Sequence, residues 1–435
     1  MPVTLQNVAS LMHPSVEGAS LAEPVKQAVD ALLNDPSVPL GENEGSLRFF
    51  SEKLNDVELE RAQVPLRAAD LRRIFNETLR DVFDPLPSAR LNSTLTVNSG
   101  LRHLSAGQTA PLAGEREVIQ TVVVFADPAE YEAERIRLLE ETRHRSSENV
   151  IYLLGRTITD RQERVAEIYR CSRIVELHGN DPDQEVKEYC TSQTERSLRL
   201  AADLGQRLSA NLMQGSFVFR GSSTAVQSLD QPLLAACKKH LGDAAERIFD
   251  HYPEAPERAP TDLAEKFLRA AGANLRAVSS TLDPLSLVRI TGSRPSIDTA
   301  RKALVSIRDR VERNGTIEGK GLLDMFSGPP FGWSPDTTRY LVAALLVAGE
   351  IKLKVSGREV TVNGQQAIDV LKTNNSFRAV GVSLRQDRPS MDVLARAAER
   401  LTDLSGDQVV PLENEIGKAA QKLLPSFAAS ACPIG

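Results

Sequence analysis

The sequence predicts a mainly α protein with small α/β segments, in which a helical hairpin region precedes a winged-helix-like module. Three observations predict it. Amphipathic helical spacing recurs over most of the chain, an alternating serine- and threonine-rich texture interrupts it from about residue 89, and residues 298 to 363 read as three helices followed by a β-hairpin. The segments expected are a helical N-terminal region with short strands (1–115), a small α/β unit (116–159), a helical hairpin and helical region (160–297), the winged-helix-like module (298–385) and a helical C-terminal tail (386–435).

Composition narrows the function classes. Of 435 residues, 41% are hydrophobic and 25% charged, which suits a globular chain with enough interior to fold without staples. A formal net charge of -6 argues against a protein that coats nucleic acid over its whole surface and leaves room for a local basic face. Cys171, Cys190, Cys237 and Cys432 form no C-x-x-C pair, as in a reduced cytoplasmic chain. The longest apolar run, YLVAALLVAG, is too short to span a bilayer, and no leader pattern opens the sequence. The expected location is the cytoplasm, with no membrane partner.

Along the chain, Ser20 and Glu23 form an S-x-x-E capping box before Val25, Val29, Leu32 and Leu33, and AADLRRIFNETLRDVF places Leu71, Ile74, Phe75, Leu79 and Val82 inward and Arg72, Arg73 and Arg80 outward. ARLNSTLTVNSGLRHL reads as strand, VIQTVVVFADPAEYEAERIRLLEE as a buried strand feeding a helix, and NVIYLLGRT as another strand. Asp127 and Pro128 are expected to end a strand and begin the next helix, not to hold magnesium. Residues 160 to 214 are helical around a break at GNDPD; Val186, Cys190, Gln193, Ser197, Leu200, Leu204 and Leu208 then form a seam for a partner helix, hence the antiparallel hairpin. Shorter helices are expected at QPLLAACKKHL, DAAERIFDHY and DLAEKFLRAA.

Two chemical motifs are weighed and set aside. NGTIEGKGLLD has the Gly319-Lys320 of a phosphate loop, but Asn314 stands at the first glycine position and Gly321 at the hydroxyl position, and the preceding residues have helical spacing. A glycine-loosened inter-helix turn is expected there. Cys171, His178 and Cys190 are soft ligands in one region, without a fourth ligand or a compact knuckle, so no metal site is assigned. No G-x-S-x-G or H-E-x-x-H pattern occurs, and no catalytic residue is assigned.

The winged-helix grammar is the most specific. Asp298 is a cap for TARKALVSIRDRVER, GLLDMFSG is a short second helix, and Ser334-Pro335 and Gly349 bound a third, DTTRYLVAALLVA. Ile351, Leu353 and Val355 then alternate with Lys352 and Lys354, Ser356-Gly357 makes a tight turn, and Val360 and Val362 return. Such modules meet DNA with the third helix and the wing. The candidate DNA-backbone contacts are Lys352, Lys354, Arg358 and Arg339. Apart from Arg339 the third helix is nearly all apolar, so it is a poor reader, and a packing or protein-docking role stands beside the DNA reading.

PPFGWSPDTTRYLVAALLVAGEIKLKVSGREVTVNGQQAIDVLKTNNSF resembles the P-loop protein family of bacteriophage-exclusion (BREX) systems, BrxC or PglY type, as do HPSVEGASLAEPVKQAVDALLNDPSVPLG and DQEVKEYCTSQTERSLRLA. The resemblance covers most of the chain and rests on long, non-catalytic motifs. It implies a component of an antiviral defence that blocks phage replication alongside a DNA methyltransferase and other subunits. The family is similar to AAA+ ATPases in its N-terminal part, but no G-x-x-x-x-G-K-[ST] occurs in this chain. ATP and magnesium are therefore implied only for the ATPase part, no nucleotide-binding residue carries over, and no cofactor is expected here. The ending PSFAASACPIG, close behind the amphipathic run LENEIGKAAQKLL, makes a truncated or split gene product one expectation. The expected function is that of a non-catalytic fragment of a BREX phage-defence ATPase that docks other BREX subunits and contacts double-stranded DNA nonspecifically. The rival is an autonomous winged-helix DNA-binding regulator.

Overall fold

In the computed structural model the described residues are 3–430 except 14–19, 34, 36–37, 39, 44–45, 50, 92–93, 147, 231, 292–293, 387–388 and 412. Helix takes 54% and strand 18%, so the chain is mixed α/β, not mainly α with minor strands. It forms two units, Met1–Pro87 with Asn98–His240 and Ser88–Val97 with Leu241–Gly435.

In the first unit, α1 (Leu5–Leu11) and α2 (Ala22–Leu33) join through Ala9, Val25 and Val29, next to the hairpin of β1 (Leu40–Asn43) and β2 (Ser46–Phe49). The capping box is displaced by one residue, because α2 starts at Ala22 and Ser20 Oγ accepts from the Ala22 amide at 3.3 Å. After α3 (Glu52–Ala62), α4 (Ala68–Val82) buries Ile74, Phe75 and Leu79 and exposes Arg72, Arg73 and Arg80 as its spacing predicts, while Leu71 and Val82 are half-buried and Thr78 joins the buried face.

The strands go well beyond a small unit. β3 (Ser88–Leu91), β4 (Leu95–Ser105), β5 (Gln108–Ala113), β6 (Ile119–Ala126), β7 (Val150–Arg156), β8 (Ser216–Phe219) and β9 (Ser222–Ala225) make one seven-stranded sheet, ordered β3-β4-β6-β7-β8-β9 with β5 against β4. β4, β6 and β7 run parallel, with His103 opposite Val123 and Val123 opposite Leu153. Helix α5 (Tyr131–His144) links β6 to β7, and Leu138 packs with Val122, Val124 and Leu154. It begins four residues past Asp127, whose carbonyl accepts from the Glu130 amide in an intervening turn.

Helices α6 (Arg161–His178) and α7 (Gln184–Met213) pack along their length. Cys171 Sγ donates to Gln193 Oε1 at 3.1 Å, the Ser172 and Ser197 hydroxyls meet at 3.0 Å, and Arg164 pairs with Asp203. Of the predicted seam, Val186, Cys190, Gln193, Leu204 and Leu208 are buried and Ser197 and Leu200 half-buried. Buried Gln193 is tolerated because the Cys171 thiol satisfies it.

One helix, α8 (Leu233–Ile248), replaces the two expected there. In the second unit α9 (Leu263–Ala273) and the hairpin of β10 (Val288–Thr291) and β11 (Arg294–Ile297) precede α10 (Lys302–Asn314). Asp298 is not the cap of α10, which starts after Arg301; its carboxylate accepts from the Ala300 amide in the preceding turn. Then follow β12 (Thr316–Glu318), α11 (Gly319–Ser327), α12 (Pro335–Val347), β13 (Ile351–Val355), β14 (Arg358–Val360), α13 (Gln365–Leu371), α14 (Asn374–Arg378) and β15 (Gly381–Leu384). Ser334 caps α12 by accepting from the Thr337 amide at 3.0 Å, and Trp333 of the PPFGW segment stacks on Phe326. The sheet order is β12-β15-β13-β14, so β15 stands between β12 and β13. Helices α15 (Met391–Ser405) and α16 (Glu413–Ser430) end the described chain, and Cys432 lies outside it.

Candidate nucleic-acid interface

The wing is β13, the turn Ser356-Gly357 and β14. Both turn residues have positive φ, 47° and 81°, the backbone of a two-residue hairpin turn. Ile351, Leu353 and Val360 are buried, so strand alternation turns Lys352 and Lys354 to the other face. The register places Lys354 opposite Glu359 and Val355 opposite Arg358. Lys352 Nζ lies 2.8 Å from Glu359 Oε1, while Lys354 and Arg358 are exposed. The three candidate cations therefore do not form a single patch. One is ion-paired, one stands beside the same glutamate, and Arg358 sits at the tip on the opposite face. A groove of about 410 Å³ between the end of α10 and β13 is lined by Glu312, Lys352, Lys354, Glu359 and Ser383, and its charge is of mixed sign.

Helix α12 is buried from Thr337 to Leu346. Helix α9 packs along it, Phe267 meeting Tyr340 edge-on, and α10, α11 and α14 take further faces. Arg339 is fully buried. Its guanidinium donates to the Leu371 carbonyl at 2.8 Å, the Thr261 carbonyl at 2.7 Å, Asn374 Oδ1 at 3.1 Å and Asp336 Oδ1 at 2.5 Å. The assignment of Arg339 as a phosphate contact is thereby corrected: its donors are spent inside the fold, because upstream α9 and downstream α13–α14 close over the helix. Tyr340 OH donates to Asp283 Oδ1 at 2.5 Å, and burial with that carboxylate pushes the phenol well above its usual range.

The other motifs have structural roles. Residues 314–321 are more than a turn, since β12 lies within them and α11 starts at Gly319. A Cβ at Gly319 would fall 2.1 Å from the Phe377 carbonyl oxygen, so that glycine serves a close backbone approach. His178 Nε2 lies 2.7 Å from Glu60 Oε2, apart from the Cys171–Gln193 pair, and burial raises the Cys171 and Cys190 thiols and lifts Cys237 to about 12. Among the described residues no group of three or more His, Cys, Asp or Glu side chains is placed to hold a metal.

One cluster had no sequence motif. His103 at the end of β4 is buried, with Nδ1 2.8 Å from Asn76 Oδ1 and its ring against Phe75 and Phe125; burial, then the charge of Arg161, lowers it to about 4. Only the alternation that turns residue 103 inward hinted at it.

Residues 300–386 match the family model of the BREX ATP-binding protein BrxC winged helix-turn-helix domain. That module, residues 300–386, is where the chain is similar to BrxC. The match spans α10 to β15, so the third helix of the matched module is the buried α12 and its wing the β13–β14 hairpin. No curated protein and no solved structure matches the chain. Among the described residues, no helix is long and apolar enough to cross a membrane.

Proposed function

We propose that this chain is a BrxC-type, non-catalytic component of a BREX phage defence, acting from the cytoplasm by docking other BREX subunits. The observation that carries this reading is the burial of α12: a helix enclosed by α9, α10, α11 and α14 has no face for a DNA groove. What the module leaves outside is the wing and its groove, where Lys352 and Lys354 alternate with Glu312 and Glu359. Mixed charge of this kind suits a protein surface of complementary pattern better than a polyanion. The α6–α7 pair, as a helical hairpin, supplies a rigid second surface. Duplex DNA is a secondary contact, confined to backbone phosphates near Lys354 and Arg358. The chain works without a cofactor of its own; ATP and magnesium belong to the ATPase part of the family. The autonomous-regulator reading loses its reading helix.

The test is reconstitution of the full chain with the other subunits of the same defence system, followed by sedimentation velocity. A stable complex is expected, weakened by the double substitution Lys352→Glu and Lys354→Glu without loss of fold. Failure of every subunit to co-sediment, together with tight duplex binding, would overturn the docking reading.

A further inference from the structure

We infer that the cleft at the carboxyl ends of β4, β6 and β7 binds a small polyhydroxylated oxyanion, with Arg161 holding the anionic group and His103 and Asp127 accepting from its hydroxyls. In open α/β sheets, ligands settle outside the carboxyl ends of parallel strands. Here those strands end at Ser105, Ala126 and Arg156, and the space beyond them is about 1000 Å³, enough for a small molecule.

The lining is chemically unfinished. His103 is only 6% exposed, and its Nδ1 is held by Asn76 Oδ1, so Nδ1 carries the proton and Nε2 presents a lone pair. No group among the described residues donates to that Nε2, and an open acceptor on a side chain this deeply buried calls for a donor from outside. Arg161 lies with its guanidinium 5.0 Å from the centre of the Phe75 ring, and no carboxylate pairs with it among the described residues. The cleft's other arginines differ: Arg137 is tied to Glu134 and Glu141, and Arg145 to Glu141 and Glu148. Arg161 is thus the cation left for an oxyanion, whose geometry its planar fork matches. Asp127, just past β6, lines the same space with no cation on its carboxylate among the described residues. A bare oxyanion would satisfy Arg161 alone and meet repulsion from Asp127. A polyol would leave Arg161 unanswered. A molecule with both features uses all three groups.

Calorimetric titration of the full chain with ribose 5-phosphate, gluconate, ribose and inorganic phosphate tests this. Saturable binding of ribose 5-phosphate or gluconate is expected, the tighter of the two identifying a phosphate or a carboxylate. Ribose and inorganic phosphate should each bind at least about tenfold more weakly, the size of one lost charge-assisted contact. Arg161→Gln should weaken the better probe by at least about tenfold. His103→Phe, which keeps a ring between Phe75 and Phe125, should weaken it while leaving inorganic phosphate unaffected; should that variant not fold, Asp127→Asn, at an exposed strand end, should bring the affinities of inorganic phosphate and the better probe closer together by removing the repulsion that inorganic phosphate meets. The inference is overturned by no saturable binding of either hydroxylated anion, by inorganic phosphate binding as tightly as both, or by unchanged affinity in a folded Arg161→Gln protein.

Discussion

Arg339 and His103 are both buried polar side chains, and their stability consequences differ in kind. Arg339 is charged and bound at four points, so replacing it leaves the Leu371 and Thr261 carbonyls and the Asp336 carboxylate short of a donor. Arg339→Met should lower the stability of the second unit by roughly 3 kcal/mol, the usual cost of breaking a buried pair from one side. A urea midpoint equal to that of the parent would contradict the burial. His103 is held neutral, at about 4 against an ordinary 6.5. The unfolded chain takes up a proton on this ring as pH falls below 6.5, and the folded chain refuses it until near 4. The stability it supports is therefore complete above 6.5 and drains away on acidification towards 4. A tenfold difference in proton affinity between the folded and unfolded ring is worth about 1.4 kcal/mol, which caps the loss at about 3 kcal/mol. In His103→Phe, urea melts at pH 7 and 4.5 should differ less than in the parent, since carboxylate effects are common to both.

At the level of elements, the wing shows what local sequence dictates and what it cannot. Ser334-Pro335 starts α12, and the Ser356-Gly357 turn and the alternation of β13 appear as read, because each depends on neighbouring residues alone. The pairing of Glu359 with Lys352 needed the register, and the insertion of β15 needed a strand 30 residues past the start of β13. Arg339 reads as exposed because arginine usually is; its burial depends on α9, far upstream. His103 was invisible as a site because Asn76, Asp127 and Arg161 join it only through the sheet. The register also sets the salt response expected at the wing. With Lys352 engaged, two cations remain, and at about 0.9 per phosphate any duplex contact at the wing should show a log–log salt slope no steeper than about 1.8. Glu359→Gln frees Lys352 and should raise it to about 2.7. Duplex titrations over a salt series check both values, and identical slopes would place the contact elsewhere.

For the molecule as a whole, the span that matches the BrxC model is shorter than the span its third helix needs. Residues 300–386 contain α12 but neither α9 nor the Thr261 carbonyl that holds Arg339. Excised alone, this segment should bind a hydrophobic dye and melt without a cooperative transition, whereas a piece that begins at Arg258 and keeps α9 should melt cooperatively by circular dichroism. A sharp transition in the shorter piece would show that α9 is dispensable. The strand order carries a different consequence, one of timing. β12 and β13 do not pair with each other; each pairs with β15, whose residues 381–384 are the last of the module to be made. A nascent chain halted on the ribosome before Gly381 would hold the five helices α10 to α14 and a free hairpin, with nothing to join β12 to β13. Vectorial synthesis therefore leaves this sheet to close in a single late step, once β15 has cleared the exit tunnel.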